Sequence, residues 1–319
     1  MAGISCGYLI LSRSFGFVKD EATVRMWGFR APLGAFLASW GGVAMLTSAP
    51  FDDWWHSAYG LDVKIVSPPH VLLIFGAFMV MMGALVIALG QMNRAEGRDR
   101  DKLNGIFLYI GSMIIVILMV LLMEFTFRIQ MHTAGYYRVI AVAIPFVLAG
   151  LARASGLRWA ATIAAGVYSL FLMACIWILP LFPAEPKLGP VFYPVTHFVP
   201  PGFPALLIFP AVLLDLLWTR TSSWNKWLLS AVSGILFLAS FLAVQWPFAD
   251  FLMSPASRNW FFGTHYFDYG THPNSFIFRN LFIPMESNFW AIMGWAALFS
   301  IISMRVGFGW GDWMRKIRR

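Results

Sequence analysis

The sequence predicts an all-α integral membrane protein, a polytopic bundle of about eight transmembrane helices with both termini on the cytoplasmic side. Three observations lead there. Of 319 residues, 59% are hydrophobic and 12% charged, roughly half the charge of an average soluble domain, and the mean hydropathy is +0.70. The apolar residues come in blocks of near-membrane length rather than as narrow amphipathic stripes. Basic residues recur in every second loop, as the positive-inside rule requires of cytoplasmic connections. The 15 Trp and 30 Phe suit the same solvent, because aromatic rings collect at headgroup depth.

In chain order, the first 28 residues precede any span. Met1 to Leu11 is apolar but short, and Arg13 follows it rather than preceding it. That pattern reads as an interfacial segment, or a misplaced start, and not as a signal peptide. The spans then fall at about 29–49, 70–91, 104–124, 137–153, 158–182, 202–218, 226–247 and 287–308, in one transmembrane domain over 1–319. Arg13, Lys19, Arg25 and Arg30 precede or open the first. Arg94, Arg98, Arg100 and Lys102 separate the second from the third. Arg153 and Arg158 separate the fourth from the fifth, and Arg220 and Lys226 the sixth from the seventh. Arg305, Arg315, Lys316, Arg318 and Arg319 close the chain. Pro145 and Pro210 predict local kinks. The outer loops, about 50–69, 125–136, 183–201 and 248–286, are rich in aromatics and proline; the last is too long for a plain connector. The expected location is the inner (cell) membrane.

These features exclude several functions. The net charge of +8 lies in topology-setting loops, so nucleic acid is not an expected partner. The two cysteines, Cys6 and Cys175, form neither a disulfide framework nor a thiolate metal site. The chain contains no HExxH, GxxxxGK[ST], GxSxG, CxxCH or desaturase histidine box, and no internal repeat of the inverted-transporter kind.

All six histidines, His56, His70, His132, His197, His265 and His272, map to outer loops or helix ends facing them. The densest group is Phe51-Asp52-Asp53-Trp54-Trp55-His56, followed by Tyr59 and by Pro68-Pro69-His70. Asp52 and His56 are four apart and share a face of any helix, while Asp53 and His56 offer a three-residue alternative. A turn between the spans is able to fold His70 back onto His56. One carboxylate and two imidazoles make a borderline-soft set for copper, zinc or iron. Such a site requires donor atoms within roughly 4–5 Å of one another before an ion closes it. The same residues also suit a plainer role, capping helices and bonding loop backbone at a wet interface.

A second group, Glu124, Arg128, Gln130 and His132 with Arg138, reads either as a Glu124–Arg128 helix pair or as further ligands and a proton relay near the first site. A third, His265, Asp268 and His272, is broken by glycines and a proline. Glu124, His132, His265 and His272 are candidates for the surroundings of the metal. Asp215 reads as a carboxylate snorkelling beside Trp218 and Arg220.

The stretch Tyr193 to Pro200, then Pro210 to Asp215, Trp227, Gly234 and Gln245-Trp246-Pro247-Phe248, resembles the A-type membrane subunit of copper membrane monooxygenases, the particulate methane and ammonia monooxygenases. There a proline-framed loop leads into a helix ending in Leu-Asp, and the next helix ends in a Trp-Pro pair. Asp52, His56 and His70 are similar to the Asp-His-His copper site of that family's C-type subunit, although the gap before His70 is one residue longer here. The resemblance implies an outer-facing copper site on these three residues. Two functions therefore stand side by side. One is a copper-dependent, monooxygenase-like protein acting on a small apolar substrate, with Trp54, Trp55 and Tyr59 excluding water. The other is a non-enzymatic structural subunit or a carrier of metal or small solutes. The lipid bilayer is a partner in both, with other membrane subunits or further copies of the chain alongside it.

Overall fold

A computed structural model describes residues 1–18, 22–60, 66–185, 191–221, 223–264, 272–275 and 282–318. The protein is mostly helical and divides into two compact units, Met1–Ile117 with Asp312–Arg319, and Leu118–Gly311. Among the described residues the α-helices are α1 (Ala2–Ser14), α2 (Leu33–Tyr59), α3 (Pro68–Met92), α4 (Gly97–Leu121), α5 (Met123–Thr126), α6 (Ala134–Ser155), α7 (Ala160–Ile178), α8 (Ile208–Arg220), α9 (Lys226–Met253) and α10 (Phe289–Met314). Six of them, α3, α4, α6, α7 with its extension to Leu181, α9 and α10, are long and apolar enough to cross a membrane.

The first unit begins with α1, whose Cys6, Leu9 and Ile10 pack onto Ala35, Phe36 and Ala38 of α2. Between them lies a feature an all-helical reading does not include. Strands β1 (Val24–Met26) and β2 (Phe29–Ala31) pair antiparallel, with Val24 opposite Ala31 and Arg25 opposite Arg30. The turn is Trp27-Gly28, both at positive φ, as a two-residue hairpin turn of type I′ requires.

Next, α2 and α3 form an antiparallel pair held at backbone contact. A Cβ at Gly41 would sit 2.6 Å from the Gly76 carbonyl oxygen, and one at Gly83 would sit 2.5 Å from that of Gly34. Ordinary side chains hold helix axes about 8–10 Å apart; here the bare glycines allow a closer approach. Gly34 and Gly41 are seven residues apart, as are Gly76 and Gly83, and a seven-residue repeat keeps one seam facing the partner. The next positions along this seam, Ser48 and Pro69, are also buried. The apolar block predicts an end of span one at 49, but α2 continues through Pro50 to Tyr59. Membrane helices tolerate such an interior proline where neighbouring groups re-satisfy the freed backbone.

In the second unit, α10 lies against α6 and α9. A Cβ at Gly307 would meet the Phe146 carbonyl oxygen at 2.5 Å, and one at Gly234 would meet the Ile301 amide nitrogen at 2.7 Å. Ser300 donates to the Gly234 carbonyl (2.9 Å) and Ser303 to that of Val142 (2.6 Å). The expected span at 202–218 is helical only from Ile208 to Arg220, 13 residues, which is about 20 Å of helix. The irregular lead-in is not left unsatisfied. Ala205 N–H donates to the Tyr168 hydroxyl (3.2 Å), and Leu206 N–H to Oε1 of the fully buried Gln245 (2.9 Å). Non-helical backbone at membrane depth needs such partners.

Asp215 does not snorkel. It is 1% exposed, and its carboxylate accepts from Ala161 N–H (3.3 Å), Thr162 N–H (2.8 Å) and the Thr162 hydroxyl (2.7 Å). It caps α7 from another helix because Trp159, at the cap position, has no oxygen to offer. Asp215→Ala should therefore destabilise the protein by about 2–4 kcal/mol, read as a lower thermal midpoint in detergent. An unchanged midpoint would refute the cap.

Candidate metal centre

The heptad seam that joins α2 to α3 also aims the candidate ligands. Ala38 meets Gly83 and Met45 meets Gly76. Seven residues beyond Met45 along α2 is Asp52, and seven before Gly76 along α3 is Pro69, which adjoins His70. Asp52 thus reaches α3 by continuing a packing pattern set two turns earlier. His56, one turn further along α2, lies on the same face. His70 sits in the first turn of α3, behind Pro68 and Pro69, where missing amide hydrogens are not needed.

The donor atoms of Asp52, His56 and His70 lie within 4.8 Å of one another. Asp52 Oδ1 is 3.4 Å from His56 Nε2 and 3.6 Å from His70 Nε2. Four-coordinate sites with bonds near 2.0–2.1 Å place adjacent donors roughly 3.3 Å apart. Asp52 Oδ1 is buried and accepts no hydrogen bond. His56 Nδ1 lies 3.0 Å from the Gly60 carbonyl oxygen. A carbonyl only accepts, so Nδ1 carries a hydrogen, and in the neutral ring the Nε2 lone pair faces Asp52. A second imidazole nitrogen bonded to backbone carbonyl is the arrangement that orients histidines on metals. Gly60 makes it available: at φ 84° it turns the chain where α2 ends, and its own N–H bonds the His56 carbonyl (2.9 Å). The carboxyl end of α2 carries partial negative charge, which also favours a cation.

Asp53, the alternative carboxylate, is exposed and stands outside this group. Phe51, Trp54, Trp55 and Tyr59 pack on one another, with Trp55 and Tyr59 centroids 4.5 Å apart. Trp54 is 53% and Tyr59 66% exposed, so they form an aromatic belt at the end of α2.

The other candidates have settings of their own. Glu124 lies in the four-residue α5, and Arg128 opens a separate 3₁₀ turn, so no single helix carries the two. His132 is sandwiched between Trp246 (4.2 Å between ring centroids) and Phe282 (3.9 Å), with Nε2 3.2 Å from the Trp246 carbonyl oxygen and 3.5 Å from Asp250 Oδ1. His272 is exposed and accepts at Nδ1 from Asn274 N–H (3.0 Å). His197 is paired with the Thr196 hydroxyl (2.8 Å). His265 and Asp268 lie outside the described residues. The Trp246-Pro247 pair stands inside α9, which runs on to Met253.

One carboxylate carries no motif or spacing signal in the sequence. Glu286 accepts from Ala134 N–H (2.9 Å) and Gly135 N–H (3.1 Å), capping α6 from a segment about 150 residues away. Ile283 N–H donates to the Ile129 carbonyl (2.8 Å) beside it. Partial burial pushes the Glu286 carboxyl up, but the amides of Ala134, Glu286 itself and Gly135, together with Arg138, outweigh it, and the net shift is downward from 4.5. A lowered folded value means that the cap's full contribution is present above the unfolded value and is lost as pH falls through the folded one. Protection of the Ala134 and Gly135 amides from exchange, taken relative to the intrinsic rate at each pH, should therefore fall in acid. Glu286→Gln should flatten that acid dependence, and a retained dependence would contradict this role.

Comparison with protein-family models, curated proteins and solved structures finds no match to this chain.

Proposed function

We propose that the chain is an eight-span inner-membrane protein with both termini cytoplasmic, holding one copper ion on its outer side through Asp52, His56 and His70, and serving as a monooxygenase-like subunit toward a small apolar substrate. The observation that carries the metal is the convergence of three donors within 4.8 Å, with the second ring nitrogen of His56 fastened to the Gly60 carbonyl. Spans one and six of the eight are assigned to α2, which is 27 residues long, and to α8 with its lead-in. The alternation of basic loops supports the orientation. The mixed oxygen and imidazole set admits zinc or iron, and the choice of copper follows the resemblance to copper membrane monooxygenases. Bound copper would supply oxygen activation. The chain's own part is to hold the donors rigidly, with Asp52 contributing negative charge and two imidazoles contributing neutral ligands. Partner membrane subunits, or further copies of the chain, would complete the working complex.

Metal analysis of the detergent-purified full chain tests this. The expected result is about one copper per chain, bound in preference to zinc and iron. Absence of stoichiometric metal from a folded preparation would remove the proposal. A second reading, a non-enzymatic metal carrier, draws on the accessibility of the ligands: the side chains of Asp52, His56 and His70 are 35%, 27% and 31% exposed. Rapid transfer of the ion to a soluble chelator, without substrate oxidation, would favour the carrier.

A further inference from the structure

The hairpin of β1 and β2 poses a question that the metal site does not answer. Arg25 and Arg30 are direct cross-strand partners. Met26 and Phe29 flank the two-residue turn, which makes Arg25–Arg30 the adjacent, non-hydrogen-bonded pair. The Arg30 N–H accordingly points out of the ladder and donates to the Ser14 hydroxyl (2.8 Å). In such pairs the Cβ atoms stand only about 4.5–5.5 Å apart, and like charges placed there repel. Both arginines are exposed. The hairpin cannot easily move to relieve the repulsion. Val24 and Met26 pack into the cluster of Cys6, Ala31, Ala35, Phe36 and Ala38, and the Ser14 hydroxyl holds the backbone of Arg30.

The surroundings indicate what offsets the repulsion. The turn residue Trp27 is 74% exposed and packs edge-on against Trp40 of α2 (5.4 Å). Phe15, Phe17 and Phe29 are exposed nearby in sequence. Two residues after the hairpin, α2 begins at Leu33. Aromatic rings beside paired guanidinium groups at the start of an apolar helix mark headgroup depth, where phosphates are abundant. Arginine forks match phosphate oxygens two at a time.

We propose that the β1–β2 hairpin is a binding surface for anionic phospholipid, with Arg25 and Arg30 clamping one headgroup phosphate and Trp27 seated among the adjoining acyl carbonyls. The surface is independent of the metal site. Its effect is to fix the depth of α2 in the bilayer.

Fluorescence quenching by brominated lipids tests the surface, using full-length protein in mixed micelles. The Trp27 signal is obtained as the difference between wild type and Trp27→Phe. Brominated phosphatidylglycerol should quench Trp27 at roughly 10–30-fold lower mole fraction than brominated phosphatidylcholine, given about 1 kcal/mol for each basic residue at an anionic surface. The double variant Arg25→Gln/Arg30→Gln should lose that preference, while Arg25→Lys/Arg30→Lys should keep most of it. Millimolar inorganic phosphate should leave the preference intact. Equal quenching by the two lipids in wild type, an unchanged preference in the glutamine variant, or loss of the preference on adding phosphate would each overturn the proposal.

Discussion

Replacing His70 with alanine should release the metal proposed to sit on Asp52, His56 and His70 and leave the helices folded. Removing a partner that only orients a ligand commonly weakens metal binding 10–100-fold. Loss of one of three direct donors should cost more, so the expected fall in affinity exceeds about 100-fold. His70 suits this test because it stands at the start of α3, in a first turn already preset by Pro68 and Pro69. Its removal takes nothing from the glycine seam. Asp53→Asn is the matching control: Asp53 is adjacent to Asp52, exposed and outside the converging group, so its affinity should stay within about twofold of wild type. If both variants weaken binding equally, the ion is held by general negative charge and not by the three residues.

The second large effect lies away from the ligands. Gly76→Leu would drive a side chain into the Gly41 carbonyl oxygen, which even a bare Cβ would approach at 2.7 Å, and into the Met45 backbone. Overpacking a tight core costs about 1–3 kcal/mol when side chains can adjust. Here the obstacle is backbone, so the cost should reach or exceed the top of that range. The helices should separate along the seam, moving Asp52 from His70 and lowering metal affinity together with stability. Gly105→Leu provides the contrast. Gly105 lies on α4, and a Cβ there meets nothing within 4 Å, so neither property should change. Thermal midpoint and metal content of the two variants, measured side by side, decide the matter. A Gly76→Leu protein with wild-type metal content would show that the seam does not position the site.

Much of this arrangement is legible in the chain, for physical reasons. Apolar block length gives the membrane helices directly, because lipid forces the backbone to satisfy its own hydrogen bonds. The four-residue spacing of Asp52 and His56 puts them on one face as soon as α2 extends past Pro50, which it does. Proximity of His70 depends on the pairing of two helices, and its signal is the matching seven-residue glycine spacing, 34 to 41 and 76 to 83. A search for chemically reactive motifs passes over it, since glycine has no chemistry. The Gly60 carbonyl is likewise silent, being backbone. Asp215 and Glu286 look like stray charges in sequence because each caps a helix remote in the chain. The N-terminal hairpin is hidden for another reason: three-residue strands are too short to show alternation.

X-ray absorption spectroscopy on the copper-loaded full chain tests the central claim most directly. Geometry with Asp52, His56 and His70 as ligands predicts the outer-shell scattering of two imidazoles and one oxygen ligand near 2.0 Å, with that two-imidazole signal lost, together with most of the copper, in either His56→Ala or His70→Ala. A spectrum without imidazole scattering, or one unaltered by both substitutions, would contradict it.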